Sequence, residues 1–130
     1  MGIPRLRMLV TCDGIAFDPN GKLTLYGIFD IVWAKSFPVA LPGFYVAISC
    51  YVDDPTTLRL RFEKPDGSIL TETPALVEAS SQSLGLIQAT YHFLQMAFPS
   101  DGTYQIKLVT EQGTEVASCD LQVRKQQNVI

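Results

Sequence analysis

Charge is what this chain has little of. Lys, Arg, Asp and Glu make up 18% of its 130 residues, against about 25% in an average soluble domain. Ten cations and thirteen anions leave a net charge of −3. They are interspersed, so no basic stripe exists to neutralise phosphates, and nucleic acid and anionic membrane are set aside as partners. A neutral surface favours self-association instead. Histidine is scarcer still: His92 is the only one, which limits acid–base and metal mechanisms. Paired cysteines are missing too. Cys12, Cys50 and Cys119 are odd in number and widely spaced, unlike the close pairs or His-Cys clusters of metal sites. No cofactor is implied.

Long apolar runs are absent. No window spans a bilayer. Met8-Leu9-Val10, just before Thr11-Cys12, is too short for the apolar region of a signal peptide, although Arg5 and Arg7 precede it. Gly2 starts no myristoylation signal, because position 6 is Leu6. The expected location is the cytoplasm, and the three cysteines, each on the apolar side of a strand, read as buried thiols. An immunoglobulin-type bridge from Cys50 to Cys119 is the rival reading. It fails because no tyrosine lies two residues before Cys119 and Trp33 precedes Cys50.

What the chain does have is alternation punctuated by turns. Phe98-Pro99-Ser100-Asp101-Gly102-Thr103-Tyr104 leads a strand through Ile106 and Leu108, and Gln112-Gly113 turns it back toward Val116 to Val123. Leu58, Leu60 and Phe62 alternate with Arg59, Arg61 and Glu63 as a half-solvated strand. Leu6, Met8, Val10 and Cys12 form one side of the first strand. Leu23, Leu25, Phe29 and Ile31 oppose Thr24, Tyr26, Ile28 and Asp30, with Gly27 marking a bulge or close approach. Ala34 to Gly43 carries Pro38 and Pro42 and reads as a crossing loop. Pro74 makes an edge strand of the residues after it, Ser80, Ser81, Gln82, Ser83 and Gly85 read as a polar loop, and Leu86 to Met96 is a long strand. Eight or nine strands with no helical window give an all-β, antiparallel two-sheet sandwich of immunoglobulin-like or related topology. Residues 1–130 form one domain, with a core over about 5–124 and a tail at 125–130.

Cys12-Asp13, Gly21-Lys22-Leu23, Gly27-Ile28-Phe29-Asp30, Phe37-Pro38, Phe44-Tyr45-Val46 and the Pro99-x-x-Gly102-x-Tyr104 hairpin resemble a family of small uncharacterised bacterial proteins, catalogued as a domain of unknown function. The resemblance runs from about Met8 to Arg124. It implies a cytoplasmic single-domain sandwich of bacterial origin, and brings no activity, ligand or catalytic residue with it.

The candidate chemistry is therefore argued from the residues. His92 points away from the core beside Thr90, and no Gly-x-Ser-x-Gly nucleophile motif accompanies it. Asp18, Asp53, Asp54, Asp66 and Asp101 each neighbour a proline or glycine or another such turn residue, so they serve turns rather than calcium. Alternation puts Tyr26, Ile28 and Val32, with Trp33, on the outward side of their strands, and Tyr45 and Tyr51 outward on the second sheet. They form an exposed patch unless the Ser36 to Pro42 loop covers them. The leading expectation is a non-enzymatic binding or assembly module that forms a homodimer through Tyr26, Ile28, Val32 and Trp33. Carbohydrate binding on the outward aromatics is the alternative, and an enzyme comes third. A protein or glycan ligand remains open.

Overall fold

The structure, a computed structural model, describes residues 4–79 and 85–127. The polar loop expected from Ser80 to Ser83 and the last three residues of the expected tail lie outside the described residues. Ten strands among those described form two sheets. The four-stranded sheet has the order β2 (Leu23–Phe29), β1 (Arg5–Phe17), β4 (Val39–Val52), β8 (Gly85–Phe98). The six-stranded sheet has the order β3 (Ile31–Ala34), β10 (Glu115–Lys125), β9 (Gly102–Thr110), β5 (Thr56–Glu63). Two short strands, β6 (Ile69–Glu72) and β7 (Val77–Ala79), share the outer side of β5. Pro74 separates them, and both are edge strands, each paired with β5. Every pairing is antiparallel except that of β3 with β10.

The core is built from inward positions of facing strands. Phe44, Val46 and Ile48 of β4 meet Leu58, Leu60 and Phe62 of β5 and Tyr104, Ile106 and Leu108 of β9, all buried. Phe44 and Phe62 sit edge to face at 6.3 Å. Burial of each such side chain contributes about 1.5–3 kcal/mol. Strands β4 and β8 facing β5, β9 and β10 repeat the immunoglobulin division of strands. Tyr104 supplies a tyrosine corner: its hydroxyl donates to the Ser100 carbonyl at 2.7 Å and accepts from the Ser100 N–H at 3.3 Å. Two residues on, where an antibody domain has its second bridging cysteine, stands Ile106. All three cysteines are free.

Three expectations need correction. The Ala34 to Gly43 segment is not all crossing loop, since β4 begins at Val39. Its first residues pair with β8 alone, because β1 reaches only from Tyr45 to Tyr51. Pro42 therefore has no ladder bond to forfeit. In β1 the core face is Leu9 and Thr11, while Met8, Val10 and Cys12 point to the other side. The third concerns the segment joining the sheets. Chain residues 23–34 leave the edge of one sheet as β2 and join the edge of the other as β3, with Asp30 between them. The Asp30 carbonyl accepts from the Gln122 N–H at 2.8 Å, which anchors the switch. Alternation restarts there, so Val32 turns into the core at 6% exposure and Ile31 turns out. Val32 is thus removed from the expected interface.

Candidate interaction surface

The two outer faces of the sandwich differ in charge. On the six-stranded sheet an ion-pair ladder runs from Glu72 to Arg61 (2.7 Å), and from Glu63 through Lys107 (3.0 Å) to Glu115 (3.1 Å), with Arg61 and Glu63 in looser contact at 3.9 Å. The Arg61 hydrogen bond holds the Glu72 carboxyl below its ordinary range, and the Glu63 hydrogen bond holds Lys107 above its own. That face is solvated. The four-stranded sheet has charge only on β1, at Arg5, Arg7 and Asp13; β2, β4 and β8 have none. Arg5 lies over the Tyr51 ring at 5.2 Å.

The neutral sheet continues into an apolar strip at its β2 edge. Tyr26 is 56% exposed, Ile28 62%, Ile31 39% and Trp33 60%. Register then places Ile28, Cys12, Tyr45 and His92 in one row across β2, β1, β4 and β8. Cα partners project to the same face, so Tyr45 lies on the same sheet as Ile28, not on the second sheet as alternation had it. The His92 ring stacks on Tyr45 at 4.2 Å and 7°. The 36–42 segment leaves Tyr26, Ile28 and Trp33 exposed, although its Leu41 and Pro42 share a cleft with Ile31, Val32 and Trp33. Cover comes from the β1–β2 hairpin, whose far half curls back so that Leu23 and Leu25 share a cleft with Met8, Ser49 and Gln88. Ala47, Ser49 and Cys12 are buried beneath it. The curl is permitted by Gly27, at φ +63°, where a Cβ would lie 2.5 Å from the Asp13 carboxylate.

Trp33 has different neighbours. It lines an open groove of about 1290 Å³ with Ile31, Asp101, Gln122, Arg124, Lys125 and Gln126. Arg124 pairs with Trp33 in register and donates to the Gln122 side chain. Of the four interface residues expected, Tyr26, Ile28 and Trp33 are exposed and Val32 is not. Ile31 and the polar partners on β10 were missed; only Asp30, a polar residue breaking an apolar run, hinted at the phase change.

Other candidate groups are accounted for locally. The Asp18 carboxylate accepts from the N–H groups of Asn20 and Lys22, and Asp66 from the Ser68 N–H and hydroxyl, which lowers its pKa. These are turn bonds. Burial raises the pKa of the Cys12 and Cys50 thiols, and burial with nearby Asp120 raises that of Cys119 to about 11. Among the described residues no three His, Cys, Asp or Glu side chains group to hold a metal ion, and no helix is long and apolar enough to cross a membrane.

Fold and surface define an immunoglobulin-like sandwich with one face of paired charges and one sparsely charged face. The chain belongs to a family of unknown function, DUF6941, whose profile matches residues 7–124. No curated protein matches it. Among solved structures it is similar to the alkylpurine DNA glycosylase AlkC of Pseudomonas fluorescens, bound to DNA containing an abasic site analog. The TM-score is 0.52 at 9% identity, over 94% of this chain and 30% of that one. The chain spans under a third of the glycosylase, and the likeness is one of fold.

Proposed function

We propose that this protein is a non-enzymatic assembly module that associates with its own copies through the strip Tyr26, Ile28, Ile31 and Trp33. The observation that carries this reading is four large apolar side chains, all exposed, within eight residues that bridge the edges of two sheets. Patches of this kind mark interaction sites. A twofold axis makes the strip self-complementary, since each side chain meets its copy or a neighbour of it. A stable contact should bury more than about 1,000 Å² with aromatics at its centre. The charged face argues against nucleic acid, because its cations are paired with carboxylates. His92, stacked on Tyr45, is engaged in packing. Ile28→Lys places two charges across the axis, so light scattering should show the assembly losing this contact while far-UV circular dichroism keeps its β signature. An unchanged mass contradicts the proposal.

The Trp33 groove favours a second reading, carbohydrate binding. Sugar stacking needs an aromatic with polar neighbours, and Gln122, Gln126, Arg124 and Asp101 are such neighbours. Trp33 is the only tryptophan, so its fluorescence reports on this groove alone. Titration with neutral oligosaccharides should shift the emission without changing the mass; a flat titration removes this reading.

A further inference from the structure

We infer that strand β8 is a second, independent self-association surface: its open edge pairs antiparallel with β8 of another copy, joining two four-stranded sheets into one. The edge itself is the first observation. β8 runs fourteen residues, Gly85–Phe98, and among the described residues it pairs with β4 alone, in a register that holds from Val52↔Gly85 to Val39↔Phe98 without a shift. Its other side presents a row of N–H and C=O groups that only a further strand satisfies at regular spacing.

Natural edges are defended by shortness, proline, bulges or charge. The remaining edges of this sandwich are so defended: β3 has four residues, β6 and β7 are cut by Pro74, and β2 is bent at Gly27. β8 has no lysine, arginine, carboxylate or proline. Its two irregularities, Gly85 at φ +113° and Gln95 at φ +56°, lie at its first residue and near its C-terminal end, and leave Leu86 to Leu94 regular.

The side chains point to the same occupant. Ile87, Ala89 and Tyr91 face the core yet are only partly buried, so the core is unsealed along this edge. On the other face Leu86 is 48% and Leu94 67% exposed. A second β8, running antiparallel about a twofold axis, sets Leu86 and Leu94 beside those of its copy with the uncharged Gln88 and Thr90, and His92, between them, closes both cores and satisfies both rows of backbone groups. Having no charge, the strand meets itself without repulsion.

This surface lies at the opposite edge of the sheet from the β2 strip, and the inference does not depend on the strip. Two such contacts together link copies into a closed tetramer or an open chain. The experiment crosses two variants and reads mass by light scattering, with circular dichroism confirming the fold. Gln88→Lys combined with Leu94→Lys, both at exposed positions, places edge lysines on β8, and Ile28→Lys removes the strip. Each variant alone should give a dimer held by the contact that remains, and all three substitutions together a monomer. If Ile28→Lys alone is already monomeric, the β8 inference is overturned and the strip proposal stands. If Ile28→Lys leaves the mass unchanged while the β8 lysines alone give a monomer, the strip proposal fails and the β8 inference stands. A β8 lysine variant with the wild-type mass also overturns the inference.

Discussion

Tyr104 ties the one fold signature in the sequence to a physical bond. Its ring is fully buried, set edge to face against Phe98 at 5.0 Å, and its hydroxyl closes the corner at Ser100. Tyr104→Phe should keep the packing and lose about 1 kcal/mol for the hydrogen bond. Tyr104→Ala should lose roughly 3–5 kcal/mol as an aromatic truncation. Urea unfolding separates the two, and a Tyr104→Phe variant as stable as the wild type would mean that the corner contributes nothing. Cys119 makes a pH prediction. The folded protein holds its thiol proton to about 11, whereas the ordinary thiol value is 9.0. Between those values the unfolded chain binds fewer protons than the folded one, so stability falls as pH rises. Relative to wild type, Cys119→Ala should lose less stability between pH 9 and 11, read as the difference in urea midpoint. Parallel curves for the two proteins would contradict this.

At the scale of elements, the β1–β2 hairpin decides which face of the neutral sheet is open. Gly27 is its hinge. Gly27→Ala forces a side chain into a left-handed conformation, at about 1–3 kcal/mol, and drives its Cβ into the Asp13 carboxylate. The expected result is a lower urea midpoint together with faster alkylation of Cys12, which the hairpin helps to bury. A destabilised protein with Cys12 still protected would mean that the hairpin is not its cover. Strands with one wet and one dry side were legible in the sequence. Leu58 to Glu63 and Tyr104 to Leu108 alternate because ion pairs face water on one side and the core fills the other. β1 was harder, because the hairpin covers its outer side and both sides are apolar. Val32 was misplaced because alternation is a property of one sheet, and the chain changes sheets at Asp30. Tyr26, Ile28 and Trp33 were legible as outward residues, but their separation into an apolar side and a polar groove needed the pairing of β3 with β10.

For the whole molecule, the segregation of charge is the main fact. One face binds water through its ion pairs, and the opposite sheet keeps charge only on β1 while leaving large apolar side chains open at its β2 edge and along β8. Surface ion pairs contribute about 0–1 kcal/mol each, so the ladder acts on solubility and orientation more than on stability. Added salt should therefore leave self-association intact, since apolar contacts are not screened, and a mass that falls steadily with ionic strength would point to charge pairing instead. The central claim is that the neutral sheet brings copies together. Light scattering of the wild-type protein at high micromolar concentration tests it most directly. The account predicts a mass at least twice the 14.4 kDa of one chain, and a mass of one chain throughout would contradict it.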